Sequence, residues 1–92
     1  MIRIGMYEIK PDVTETQIIL PKDSEMLSAL CKYNKIYVYA IVDAEIKETE
    51  VYSIKCFKTG LDIDYDKSYK FLGTVCLVGG EFTYHIFSKK LD

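Results

Sequence analysis

Ile36-Tyr37-Val38-Tyr39-Ala40-Ile41-Val42 is the stretch on which the fold turns. β-Branched and aromatic residues fill it, and they fit a pleated surface better than a helix. Side chains alternate between the two faces of a strand, so Val38, Ala40 and Val42 share one side and Tyr37, Tyr39 and Ile41 the other. Both sides are apolar, which predicts a central strand with neighbours on both edges.

Upstream, residues 22–33 admit two readings. Asp23 or Ser24 could cap a helix in which Met26, Leu27, Leu30 and Tyr33 recur at helical spacing. Leu27, Ala29 and Cys31 also alternate at period two, and Tyr33-Asn34 before Lys35 has the character of a hairpin turn. A strand over 26–33 supplies the neighbour that the stretch at 36–42 needs, and this is the reading adopted. Further upstream, Ile2, Ile4 and Met6 alternate with Arg3, Gly5 and Tyr7 up to Pro11-Asp12, which predicts a first strand near 2–10. A second is predicted near 15–20, ending at Pro21, the last proline in the chain.

Downstream, residues 43–50 form a charged connection and 51–58 a strand with one wet face, since Ser53 and Lys55 oppose Tyr52, Ile54 and Cys56. Thr59-Gly60 ends that strand and residues 61–68 make a polar loop. Two alternating strands, 69–78 and 81–88, flank Gly79-Gly80, whose freedom at positive φ suits a type I′ or II′ hairpin. Val, Ile, Thr, Tyr and Phe supply 35 of the 92 residues against three alanines. The expectation is a single all-β domain over residues 1–92, with about seven antiparallel strands in a meander forming a small barrel or sandwich.

Charge and composition narrow the function classes. Twelve basic and fourteen acidic side chains leave a net charge of −2, and the sequence pI is near 5.4. A phosphate-binding surface normally comes with an excess of Lys and Arg, so nucleic acid is disfavoured. The seven-residue run at 36–42 is far short of the ~20 apolar residues of a membrane span, and the N-terminus lacks a signal-peptide pattern. The expected location is the cytoplasm where the protein is made. Cys31, Cys56 and Cys76 are odd in number and lie in apolar stretches without a Cys-x-x-Cys pair, so they read as small buried hydrophobes in a reducing compartment.

The chain also resembles a small family of unknown function from bacteriophages and scattered bacterial genomes. The residues that carry the likeness are Tyr39-Ala40-Ile41-Val42-Asp43, Ile54-Lys55-Cys56-Phe57-Lys58-Thr59-Gly60, Phe71-Leu72-Gly73-Thr74-Val75 and Tyr84-His85-Ile86-Phe87, in that order. Lys58 stands in place of the first glycine of a Gly-Thr-Gly turn, and Leu61-Asp62 replaces a usual His-Pro. The resemblance implies a β fold and a phage-type setting, the host cytoplasm if phage-encoded, and assigns no catalytic residues.

Candidate chemistry is sparse. Asp62, Asp64 and Asp66 alternate in a loop as cation ligands can, but an EF-hand needs glycine at its sixth position and glutamate at its twelfth, where this chain has Lys67 and Gly73. A solvated acidic loop without metal is expected. His85 faces away from Phe82, Tyr84 and Ile86, and no spaced nucleophile or carboxylate marks it as a general base. It is expected to be half-buried and hydrogen-bonded to a neighbouring strand. Gly79-Gly80 lacks the Lys-Ser/Thr of a phosphate loop.

The one aromatic and basic cluster is Lys32, Tyr33, Lys35, Tyr37 and Tyr39, the candidate interaction surface. Tyrosines bury large area at small entropic cost and recur at protein hot spots. The leading expectation is a non-catalytic protein-binding module of phage type, its partner a host or phage protein. An inhibitor of a host enzyme or of a host defence complex such as a CRISPR effector is the form it would take, with acidic side chains occupying a nucleic-acid groove. The alternative is a barrel that binds a small molecule, a nucleotide or single-stranded nucleic acid, with homo-oligomers formed through an exposed edge strand. No cofactor is expected, and an enzyme ranks third.

Overall fold

The computed structural model describes residues 1–91 and contains seven strands. They are β1 (Ile2–Ile9), β2 (Glu15–Pro21), β3 (Glu25–Lys32), β4 (Lys35–Asp43), β5 (Thr49–Lys58), β6 (Lys70–Leu77) and β7 (Phe82–Lys90). Every pairing is antiparallel. The ambiguous segment after Pro21 is a strand, and Tyr33-Asn34 turns it into β4 with both residues at positive φ, 53° and 59°. That is the backbone a two-residue type I′ hairpin requires.

Two sheets form, a three-stranded one in the order β1-β4-β3 and a four-stranded one in the order β2-β5-β7-β6. The order departs from a meander. The chain crosses from the first sheet to the second after β1, returns after β2, and crosses again after β4. Pro11 lies in the first of these crossings and Pro21 at the end of β2, where a residue without an N–H breaks or ends a ladder. Each amphipathic sheet buries its apolar face against the other, and crossing between layers gives both β1 and β2 a partner. The result is a sandwich. A closed barrel is not formed, because β1 and β2, the outer strands on one side, do not pair with each other.

The core lies between the layers. Ile36, Val38, Ala40 and Val42 of β4 face Leu20, Tyr52, Ile54, Cys56, Leu72, Val75, Leu77 and Ile86 of the second sheet, with Ile9 and Met26 completing it. On the other side the edges of β3 and β6 come together without a ladder. The Lys70 ammonium donates to the Met26 carbonyl at 2.7 Å, next to a β3 bulge between Met26 and Ser28. Gly73 lies against the backbone of Ala29, where a Cβ would stand 3.1 Å from the Ala29 carbonyl oxygen. The Val78 N–H donates to Asn34 Oδ1 at 2.7 Å, tying the two hairpin tips together.

The β6–β7 hairpin has both glycines at positive φ, and the Glu81 N–H donates to the Val78 carbonyl at 3.1 Å. Val78 shares the left-handed backbone at φ 51°, a conformation that a β-branched side chain adopts at a cost of about 1–2 kcal/mol. Its side chain is exposed and fills no cavity. Val78→Asn keeps the N–H bond to Asn34 and removes the clash, so it is expected to raise the unfolding free energy by about 1 kcal/mol, read as a higher urea midpoint at unchanged m.

Candidate interaction surface

Residues directly opposite in an antiparallel pair share a face, so the register assigns each side chain of the three-stranded sheet. Lys35, Tyr37, Tyr39, Ile41 and Asp43 of β4 point away from the core. Beside them on β1 stand Ile2, Ile4, Met6 and Glu8, opposite Asp43, Ile41, Tyr39 and Tyr37. On β3, Glu25, Ser28, Leu30 and Lys32 pair with Ile41, Tyr39, Tyr37 and Lys35. Among the described residues no other element packs over this face. Ile2 is 69% exposed, Ile4 65%, Met6 52% and Leu30 54%, while Tyr37, Tyr39 and Ile41 are half-buried between them.

Four of the five residues singled out in sequence lie on this one face, and Tyr33, 85% exposed at the hairpin tip, adjoins it with the Lys32 ammonium 5.6 Å from its ring centre. Tyr37 and Tyr39 pack on the second side of a central strand as read, and that side is open to solvent. The aliphatic half of the face was missed. The alternation of Ile2, Ile4 and Met6 is legible, but its sense is not, since Arg3, Gly5, Tyr7 and Ile9 prove to be the inward set. The Tyr7 ring folds over Gly5 there, occupying the space a side chain at Gly5 would fill.

Charge divides the face along its length. Lys10, Lys32 and Lys35 gather at the hairpin end, offset by Glu8, whose carboxylate is 2.9 Å from the Lys10 ammonium. Glu8 is held below the usual carboxylate range by that bond. At the opposite end lie Glu25, Asp43 and Glu45, the last two binding the Met1 ammonium at 3.2 and 2.9 Å. The Glu45 N–H and the Met1 ammonium together hold Asp43 below its ordinary value.

The outer face of the four-stranded sheet is different, because the 59–69 segment lies across part of it. Phe87 packs there against Phe57 and Phe71, with ring centres 5.9 and 5.4 Å from its own, and Tyr65 meets Phe87 edge-on at 6.2 Å. Leu61, Ile63 and these phenylalanines line a cavity of about 330 Å³ that reaches His85. His85 is half-buried between two hydroxyls, Thr59 Oγ1 at 2.6 Å from Nε2 and Thr74 Oγ1 at 3.0 Å from Nδ1. Both ring nitrogens are thus engaged by neighbouring segments. Beneath the same loop, buried Ser53 bonds Glu15 and accepts the Tyr69 hydroxyl at 2.9 Å.

Asp62, Asp64 and Asp66 are all exposed. Among the described residues no cluster of three or more His, Cys, Asp or Glu side chains could hold a metal. Asp66 closes its own turn, accepting from the Ser68 N–H at 2.9 Å and the Ser68 hydroxyl at 2.7 Å, which depress its pKa. The cysteines correct one expectation. Cys56 is buried, Cys31 is intermediate, and Cys76 is exposed, because β6 turns it outward beside Thr83. Burial pushes the Cys56 thiol up to about 11, so it carries almost no thiolate at neutral pH. Alkylation at pH 8 is expected to modify Cys76 in the folded protein and Cys56 only after denaturant is added, as read by peptide mass mapping.

The chain belongs to a family described as a domain of unknown function (DUF7352), whose model matches residues 1–92. No curated protein and no solved structure matches it.

Proposed function

We propose that this chain is a non-catalytic protein-binding module and that the outer face of the β1-β4-β3 sheet is its binding surface. One observation carries the reading: three strands present a contiguous apolar face of Ile2, Ile4, Met6, Leu30, Tyr37, Tyr39 and Ile41 that no other element among the described residues covers. Scattered exposed hydrophobes are ordinary, whereas a contiguous patch rimmed by charge marks an interaction site. The rim here is Lys32 and Lys35 at one end and Glu25 and Asp43 at the other, the arrangement of an interface with an apolar centre and a polar border.

Two of the groups that could carry chemistry are otherwise engaged, which supports the non-catalytic reading. His85 is clamped by two threonines, and Cys56 is buried with a raised pKa. A phage setting, with a host enzyme or a host defence complex as target, rests on the sequence resemblance alone.

The test compares affinity capture by the wild type with capture by an Ile4→Lys/Met6→Lys variant, both from nuclease-treated lysate of the native host. Both positions are exposed, so the variant is expected to fold with unchanged circular dichroism and to lose the stoichiometric partner. A folded variant that keeps every partner removes this face from the interface. A second reading, a small apolar ligand in the 330 Å³ cavity under Leu61 and Ile63, is favoured by its phenylalanine walls and by its size, at the lower end for small-molecule sites. A rise in Tm in a thermal-shift screen of nucleotides and aromatic metabolites, abolished by Phe71→Ala, would support it.

A further inference from the structure

The outer row of β4 runs Lys35, Tyr37, Tyr39, Ile41, Asp43. About Tyr39 as a centre, a base at one end answers an acid at the other, and the residues between are apolar. The flanking strands extend the pattern. Lys10 and Lys32 lie at the Lys35 end and Glu25 and Glu45 at the Asp43 end, while Arg3 belongs to the opposite face of β1. From these groups the basic end carries 3 − 1 = +2, counting Glu8, and the acidic end −3 + 1 = −2, counting the Met1 ammonium; Asp12, acting on Lys10, and Arg3, acting on Met1, each reduce their end by one charge and leave the signs opposite.

We infer that the occupant of this face is a second copy of the chain, packed face to face about a two-fold axis that lies in the interface and runs across the strands. The inference rests on the protein-binding reading above and names the partner. A two-fold interface brings one patch against itself, so the patch must be self-complementary. An axis parallel to the strands would set the basic ends of both copies together, and like charges in contact disfavour it. An axis across the strands sets β4 against the partner's β4 in opposite direction, with Tyr39 near the axis, so each Lys32 and Lys35 meets the acidic end of the other copy. Apolar sheet faces pack about 10 Å apart in this way within single sandwiches.

The area fits a reversible dimer. Nine residues of β4 at ~3.3 Å each and three strands at ~4.8 Å give a footprint of about 30 × 15 Å, roughly 450 Å² per copy and about 900 Å² for the pair before side-chain relief is counted. Specific interfaces begin near 1,000 Å² and the weakest of them dissociate readily, which places this dimer in the concentration-dependent class.

Charge exchange provides the test. Sedimentation velocity of the whole chain over roughly three decades of concentration at low salt should show a monomer giving way to a dimer, with the midpoint moving to higher concentration as salt rises. Lys32→Glu/Lys35→Glu and Glu25→Lys/Glu45→Lys are each expected to weaken the dimer on the order of tenfold or more, since both create like-charged meetings at the two ends. Mixed one to one, the two variants restore opposite charges at both ends and should sediment as a heterodimer. All four residues are exposed, so each variant is expected to fold, with circular dichroism as the check.

A wild type that stays monomeric throughout, or a mixture that remains monomeric while the wild type dimerises, overturns the inference. A monomeric wild type whose Ile4→Lys/Met6→Lys variant still loses a captured protein would leave the protein-binding reading standing with a different partner. If that variant also loses nothing, both fall.

Discussion

Ile54→Ala is expected to lower the unfolding free energy by about 3 kcal/mol, which for a domain of this size moves Tm down by roughly 12–24 °C. Ile54 is 0% exposed, in the second strand of the four-stranded sheet, and its side chain enters the space between the layers among Val38, Ile36 and Ile86. Removing three carbons there loses their transfer from water and leaves a cavity that two hydrogen-bonded sheets have little freedom to close. Ile19→Ala is the matched control. It deletes the same atoms from a side chain 67% exposed on the edge strand β2, and the expected change is within about 0.5 kcal/mol. Thermal and urea unfolding of the two variants side by side measures the contrast. A larger loss at Ile19 than at Ile54 would mean that the second sheet is facing the other way.

Gly73→Val is expected to destabilise by about 2–3 kcal/mol and Gly73→Ala by about 1 kcal/mol. The position lies on β6 where that strand meets β3, beside a register shift between Phe71 and Gly73. A Cβ there stands 3.1 Å from the Ala29 carbonyl oxygen and 3.5 Å from its nitrogen. The obstacle is backbone, which cannot swing aside as the end of a side chain can. One methyl group forces a shift of a few tenths of an ångström, and valine's two further carbons force the layers apart. The backbone itself is not in the left-handed region at Gly73, so the cost comes from the seam and not from local conformation. Denaturation midpoints for the series Gly, Ala, Val should fall in order of volume. A flat series would show that β3 and β6 do not close one side of the sandwich.

All seven strands were legible in the sequence, and the reason is local. Alternation at period two, the Tyr33-Asn34 and Gly79-Gly80 turns, and prolines at the two points where the chain leaves a strand act within a few residues of each other. Even residues 22–33, with a credible helix cap and helical spacing, follow from a local rule once β4 demands an adjacent hairpin partner. Sheet order was not legible in the same way. A meander and the observed crossings place the same alternating strands in different pairs, and the pairing of β1 with β4 depends on contacts some thirty-five residues apart along the chain.

Of the candidate surface, the Lys32, Tyr33, Lys35, Tyr37 and Tyr39 group could be found because aromatic and basic residues are adjacent in one hairpin. Ile2, Ile4 and Met6 could not, because nothing on β1 states which of its two rows meets the core. Cys76 shows the same limit, lying among apolar neighbours in sequence yet facing out. The fold class, the turns and the alternation were thus determined by the sequence alone, through interactions that span a few bonds. Which row of each strand faces inward, which strands pair across the layers and which apolar face stays uncovered were decided only by the tertiary structure. A strand carries two chemically similar rows here, and only the arrival of the second sheet on one side distinguishes them.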